Sequence, residues 1–543
     1  MVPPPLFPDA AADALAVFKS LRMTDVAGTP TFGEACAQWV FDFVTAIFGA
    51  CDPETGVRHI NQFLLLISKK NGKSTIAAGI MLTALIINWR NDAGLSILAP
   101  TIEVAHNSFD PAAAMVRADP DLVQLIHVQD HLRILRHRTT NAVLRVIAAD
   151  SDTAAGAKDG FVLVDELWLF GKRPRAKAML DEATGGLASR PEGFVIYLTT
   201  HSDEQPIGVF NEKLQYARRV RDGLLDDRSF LPLLYEWPKA MLDAGDYLQP
   251  EMFHVTNPNL GRSVSMDFLT AKLIEARESN TKGSLQLFLA KHLNVEIGLR
   301  LSHNRWVGAD YWEAACEPGL TLDALLERCD VVSIGIDGGG LDDLLGLAVL
   351  GRERDTRRWL HWGHAWAHPI VLDRRKGEAS RLEDLAKTGD LTITTGPTDD
   401  IMAVADLVER IWALGLLPEK AGIALDPFCV TALLDEIVGR GVPDETQIGF
   451  RQGGALSPAV WGLERKLADG TFLHCGQTLM AWCIGNAVAE QRGNAVIITK
   501  ETAGRAKIDP LVALFNAAMV MGRNPEAAGG GPSVYLGRGL LVV

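Results

Sequence analysis

The chain contains no C-x-x-C pair. Its seven cysteines, at 36, 51, 316, 329, 429, 475 and 483, are scattered and odd in number. That speaks against a disulfide framework and against a thiolate zinc site, and fits reduced cysteines in a cytoplasmic protein. Excess positive charge is missing too: 53 Lys+Arg stand against 67 Asp+Glu, a formal net charge of −14. Indiscriminate coating of nucleic acid is thereby disfavoured, while a local basic groove stays compatible. The most apolar stretch, Ser74 to Trp89, falls short of the roughly 20 residues a membrane span requires. The start, "MVPPPLFPDAAADALAVF", lacks a basic segment leading into an apolar core, so no secretory signal is read and a soluble protein is expected. Internal repeats are absent.

What remains is a chain of 543 residues, 48% hydrophobic and 22% charged, enough for about two to four globular domains. "FLLLIS" (63–68), "LSILAP" (95–100), "LRVIAA" (144–149), "FVLVDE" (161–166) and "FVIYLTT" (194–200) are short apolar runs bounded by polar residues. Helical stretches such as 74–90 and 101–117 separate them. This alternation predicts an α/β domain with a parallel sheet over 1–300. Within it, 210–300 reads as helical and polar, with an Asn-Pro-Asn turn at 257–259. A linker over 301–328 is expected next. A second strand-rich unit over 329–523 opens with "VVSIGIDGGG" and "LLGLAVLGRE" and ends in a helix from Pro510. The remaining 524–543, rich in Gly and Pro, is expected to be a flexible tail.

Chemistry enters at "LLLISKKNGKSTIAAG", residues 64–79. Gly72, Lys73 and Ser74 fit the second half of a phosphate loop, but Ile67 stands where its first glycine belongs. The context is right: an apolar strand, a polar turn, then a helix whose N-terminal N–H groups and dipole favour an anion. Without the first glycine, the loop must enter through a different backbone turn. Lys69, Lys70, Asn71, Gly72, Lys73, Ser74 and Thr75 are therefore candidate contacts for ATP, with the Ser74 hydroxyl on Mg²⁺. Read alone, the stretch also fits a capped surface turn. "GFVLVDELW" decides between the two, because it sets Asp165 and Glu166 at the carboxyl end of another strand. There Asp165 can hold Mg²⁺ through water, and Glu166 can deprotonate the attacking water. Thr199 and Thr200, ending a further strand, are placed to sense phosphate loss, and Gln38 to read an adenine edge.

The second unit repeats one theme, an aspartate at the end of an apolar strand or the start of a helix. Asp337 ends "VVSIGI", Asp426 ends "AGIAL", and Asp509 precedes Pro510. Carboxylates spread along a chain that converge at one sheet are how a protein binds two Mg²⁺ or Mn²⁺ for phosphodiester hydrolysis. "GIDGGGLDDLLGLAVL" has the layout of the first hairpin of an RNase H-like nuclease. Asp343 in that turn is a further metal-ligand candidate, with turn chemistry as its alternative. Trp362 and Trp366 leave a sugar-binding cleft as a minor alternative.

Taken in order, Gln38-Trp39 ahead of "IFG", "SKKNGKST", "VLVDE", Thr199-Thr200, "KHLN" (291–294), "GID", "ALDP" and "KIDPLVALFNAA" resemble the large terminase subunit of tailed bacteriophages. In that family the loop's first glycine is routinely absent, and a basic residue, often arginine, stands where this chain has Lys69. The resemblance implies a P-loop ATPase of the type with an additional strand and a catalytic glutamate, joined to an RNase H-like nuclease. It implies phosphate and Mg²⁺ contacts at Lys73 and Ser74, and metal ligation by Asp337, Asp426 and Asp509. Thr199 and Thr200 would couple hydrolysis to movement. Arg138 and Arg145 are candidates by position for an arginine acting on a neighbouring subunit's nucleotide. Implied partners are double-stranded DNA, the small terminase subunit and the portal protein of the procapsid. The chain would form a ring when packaging and a monomer when free, in the host cytoplasm and without a membrane. Two other readings are an ATP-dependent helicase or translocase with a non-cutting second domain, and a catalytically inert assembly protein.

Overall fold

The computed structural model describes residues 2–148, 159–173, 176–279, 284–297, 306–426, 431–500 and 507–529. They divide into two compact units, Met1–Ile297 and Gly298–Val543. Residues 301–305 of the expected linker and 530–543 of the expected tail lie outside the described residues.

The first unit is built on β1 (Gln62–Leu66), whose five residues match the first apolar run. Phe63 and Leu65 enter one buried cluster and Leu64 and Leu66 the other, so both faces of the strand are covered. That is the position a near-continuous apolar strand requires. The remaining strands are β2 (Gly94–Ala99), β3 (Ile126–Gln129), β4 (Ile134–His137), β5 (Val143–Ala148), β6 (Phe161–Val164), β7 (Phe194–Thr199) and β8 (Phe230–Leu234). Their order is β3-β4-β5-β2-β6-β7-β1-β8. From β5 to β8 all neighbours are parallel, with β3 and β4 added antiparallel at the edge. β7 stands between the loop's strand β1 and the acidic strand β6, which is the additional-strand arrangement. Because β1, β6 and β7 are parallel, their carboxyl ends open on one edge.

β8 corrects the helical reading of 210–300. "FLPLL" carries Pro232, which argues against a central strand, but β8 is the sheet's outermost strand, where a missing N–H is tolerated.

The second unit has β9 (Cys329–Gly338), β10 (Leu344–Glu353), β11 (Trp359–Ala367), β12 (Leu391–Ile393), β13 (Ile423–Leu425), β14 (Gln447–Gly449) and β15 (Phe472–His474) in one sheet, and β16 (Ala487–Arg492) with β17 (Ala495–Lys500) as a separate hairpin. The core order is β11-β10-β9-β13-β14, with β9, β10 and β11 antiparallel and β13 parallel to β9. This is the RNase H-like sheet. The helix Asp509–Met521 lies directly against it. A Cβ on Gly335 would stand 1.9 Å from the carbonyl of Ala513, and one on Gly346 would stand 2.7 Å from the nitrogen of Pro510. Only glycine permits that approach. Trp366, on β11, is buried in the core, with Trp362 packed against the same cluster. The stretch read as a linker carries helices Ala309–Trp312 and Leu322–Arg328, with Trp306 and Trp312 fully buried.

Candidate ATPase and nuclease sites

The phosphate loop turns without its first glycine by using two left-handed residues, Lys70 (φ 71°) and Gly72 (φ 75°). A non-glycine residue there costs about 1–2 kcal/mol, so the surroundings must hold it. Asn71 does so. Fully buried, its amide donates to Ser68 O (3.1 Å) and Asn257 Oδ1 (2.8 Å), and its Oδ1 accepts from the Asn259 N–H (3.1 Å). Asn259 Nδ2 donates to Asn71 O (2.7 Å), Trp39 Nε1 donates to Asn259 Oδ1 (2.9 Å), and Ser263 Oγ donates to Lys70 O (2.7 Å). The Asn-Pro-Asn turn thus clamps the loop from nearly two hundred residues away along the chain. Gln38 donates to Asp42 one helical turn on (2.8 Å), and its neighbour Trp39 is the residue that reaches the clamp. Lys69 is tied by its backbone N–H to Lys291 O (2.7 Å), and Thr75 lies half-buried in the first turn of the helix Lys73–Ile86.

Beside the loop, Lys73 Nζ lies 2.5 Å from Glu166 Oε1 and 3.8 Å from Asp165 Oδ1. Ser74 Oγ and Ser108 Oγ donate to Asp165 Oδ2 at 3.4 and 2.9 Å. Lys73 and Ser74 open the helix that follows β1, Ser108 lies on the helix that follows β2, and Asp165 and Glu166 directly follow β6. Burial opposes the Lys73 charge, but the two carboxylates outweigh it and raise its pKa. Burial raises the pKa of the fully buried Asp165, with Lys73 pulling the other way, whereas at Glu166 the lysine wins over burial and lowers it. Glu166 itself sits in a left-handed turn (φ 54°). Thr199 and Thr200 are fully buried at the end of β7; Thr199 Oγ1 accepts from the Trp168 N–H (3.2 Å) and donates to Thr200 O (2.8 Å). Arg145 is committed to Asp159 (2.8 Å), while Arg138 is exposed.

Ser108, Asn257 and Asn259 carry no motif that sequence reasoning attached to this site, and Trp168 and Lys291, though inside the quoted "GFVLVDELW" and "KHLN", were given no role there. The pattern Asn-Pro-Asn was visible as a turn, and nothing local tied it to the loop.

In the second unit, β13 pairs β9 at Ala424–Gly335. Two residues beyond on each strand stand Asp426 and Asp337. Gly346, opposite Asp337 on β10, receives the backbone of Asp509, and a Cβ on Gly338 would lie 3.6 Å from Asp509 Cβ. Three aspartates distant in sequence therefore meet at one end of one sheet. Gln452 Nε2 donates to Asp337 Oδ1 (2.9 Å). Asp343 is engaged by Lys507, whose side chain is buried, and Arg375 Nε donates to the Asp342 carbonyl (2.8 Å). An all-carboxylate donor set fits a hard divalent cation such as Mg²⁺ or Mn²⁺.

A third grouping, His201, Glu236 and Glu296, has metal-like spacing. Arg218 bonds both glutamates, at 2.5 Å to Glu296, and Arg221 reaches Glu236 at 2.7 Å. Guanidinium groups already match that charge.

Comparison with known proteins gives the family. Residues 38–219 match the model of the terminase large subunit ATPase domain, and residues 226–525, more than half of the chain, match that of the terminase large subunit endonuclease domain. The chain belongs to the terminase large subunit family. The terminase endonuclease match begins inside the first compact unit, at residue 226. The terminase large subunit of Enterobacteria phage HK97 is 24% identical over 478 residues, covering 86% of this chain and 85% of that protein. Protein YmfN of Escherichia coli K12 is 26% identical over 286 residues, 51% of this chain and 60% of that one. The crystal structure of the HK97 bacteriophage large terminase superposes at a TM-score of 0.48 and 20% identity, covering 94% and 99% of the two chains. As a terminase large subunit, the chain is an ATPase and a DNA endonuclease of genome packaging, using a nucleotide and a divalent metal. Among the described residues no helix is long and apolar enough to cross a membrane.

Proposed function

We propose that the first unit hydrolyses ATP to drive double-stranded DNA into a procapsid, and that the second cuts the concatemer. The observation that carries this reading is the joint presence of a lysine–carboxylate constellation beside a phosphate loop and of an aspartate cluster on an RNase H-like sheet. Lys73 and Ser74 hold the outer phosphates and Mg²⁺, with Lys70, Asn71, Gly72 and Thr75 shaping or lining the phosphate cradle, Lys69 adding positive charge and Gln38 near the base. Asp165 orients the ion through water. Glu166 takes a proton from water, whose oxygen bonds to the γ-phosphorus as the bond from that phosphorus to the bridging oxygen breaks and ADP leaves with the electron pair. Thr199 and Thr200, bonded through Trp168 to the turn bearing Glu166, transmit phosphate loss to the sheet edge.

Asp337, Asp426 and Asp509 would hold two Mg²⁺ or Mn²⁺, with Gln452 orienting Asp337. The chemistry supplied there would be activation of a water and stabilisation of the leaving oxygen. The partners are the small terminase subunit and the portal protein, with the chain in a ring at the portal and monomeric when free, in the host cytoplasm. With a net charge of −14, DNA is held through local phosphate contacts, so binding weakens with salt. Plasmid digestion with Mg²⁺ or Mn²⁺, wild type against Asp337→Ala, tests the reading. Cutting by the wild type and none by the variant is expected, and equal cutting by both overturns the nuclease assignment.

A further inference from the structure

Each carboxylate oxygen of Glu166 has a different partner. Oε1 meets Lys73 Nζ at 2.5 Å, and Oε2 accepts from Trp168 Nε1 at 2.6 Å. The two partners differ in freedom. Lys73 sits on the phosphate loop's helix, and an incoming triphosphate competes for its charge. Trp168 is fixed on several sides. Its backbone N–H donates to Thr199 Oγ1 (3.2 Å), and the Nζ of Lys291 lies 3.0 Å from its ring centroid, with Lys172 at 5.2 Å. Lys291 is only 4% exposed and donates to the His201 carbonyl (2.9 Å). Its own carbonyl accepts from the Lys69 N–H (2.7 Å). One residue of the helix Ser284–His292 therefore touches the phosphate loop with its backbone and the tryptophan with its side chain.

We propose that Trp168, pinned by Lys291, is the positioning residue for Glu166: its indole N–H holds one carboxylate oxygen so that the other faces the attacking water once Lys73 turns to phosphate. The indole is suited to this, because it donates a hydrogen bond and cannot accept the proton Glu166 must take. Lys291 over the ring face fixes the indole without touching the carboxylate. The titratable groups facing Glu166 are Lys73 from the loop's helix, Asp165 beside it, Lys69 from the loop and Lys291 from the later helix, whose pKa burial lowers to about 7. The proposal rests on the reading of Glu166 as the base.

The test is ATP turnover by the full chain with double-stranded DNA, measured for Glu166→Gln, Trp168→Phe, Lys291→Met and Lys291→Arg, with melting temperatures alongside. Trp168→Phe keeps the ring and removes the donor. It is expected to lower kcat about tenfold or more, since small misplacements of a reacting group carry such costs, while KM for ATP changes less than about twofold. Lys291→Met should lower kcat in the same way, and Lys291→Arg should restore most of the loss. If Glu166→Gln is inactive while Trp168→Phe keeps the wild-type kcat, the proposal is overturned and the base reading stands. A fall of kcat in Trp168→Phe that comes with a raised KM for ATP and a lowered melting temperature overturns it in favour of a packing role. Wild-type turnover by Glu166→Gln removes the base reading, and the proposal with it.

Discussion

In the first unit two adjacent carboxylates, Asp165 and Glu166, share a buried lysine from the neighbouring loop. In the second, Asp337, Asp426 and Asp509 arrive from two strands and a helix, and a buried lysine near them in sequence, Lys507, is turned to Asp343. The first site is neutralised by its own side chains and keeps its shape through hydrogen bonds. The second gathers negative charge and relies on glycine-permitted contact between helix and sheet. A site that must exchange its cation for a phosphate-bound one on every turnover gains from a built-in lysine. A site for divalent ions gains from carboxylates gathered at one place.

The largest expected effect crosses the two sites. Glu166→Ala should still bind ATP and cut plasmid but lose about 10²–10⁴-fold in ATP turnover, and Asp426→Ala should lose cleavage and keep turnover. Loss of both activities in either single variant would break the comparison, since it would mean that the sites are not separately built. A second effect sharpens the geometric half. Gly346→Ala places a methyl 2.7 Å from the Pro510 nitrogen, so the helix must shift; overpacking of this kind costs about 1–3 kcal/mol. Plasmid cleavage should fall with ATP turnover spared, and an unaltered cleavage rate would show that the close approach is not what aligns Asp509.

Asn71→Ala removes the loop's clamp and leaves Asn257 Oδ1 and the Asn259 N–H without their partner. A destabilisation of about 1–3 kcal/mol is expected from such unsatisfied buried groups, together with a raised KM for ATP; an unchanged KM would show that the loop holds its turn unaided. The smallest effect concerns Glu236. Burial favours its neutral form, but hydrogen bonds from His201 and Arg218 prevail and take its pKa to about 2, below the ordinary 4.5. The stability this supplies is therefore present above pH 4.5 and lost as pH falls toward 2. Acid titration of the melting temperature should bring wild type and Glu236→Gln together over that window. The gap at neutral pH should be on the order of 1 kcal/mol, because the part-exposed arginines are screened.

Much of the fold was legible because its elements are locally coded. The apolar runs ahead of the Lys73 loop, of Asp165 and of Thr200 are buried strands, and their parallel alternation with helices leaves little topological choice. β8 was not legible, since Pro232 argues against a strand unless the strand is known to lie at an edge. The linker reading of 301–328 overlooked that Trp306 and Trp312 have a core to enter.

Of the candidate sites, the sequence alone named the candidate reacting groups. Strand-end acids, a glycine-lysine-serine turn and a helix-start aspartate have their chemistry written into residue type and local spacing. Only the tertiary structure decided what holds those groups in place. Asn71 answers to Asn257 and Asn259, Glu166 to Trp168 and Lys291, and Asp509 to Gly338 and Gly346. Such partners are chosen by fit across the fold, where any residue of suitable shape and donor pattern serves. Their positions therefore carry no periodicity or spacing that a sequence could display.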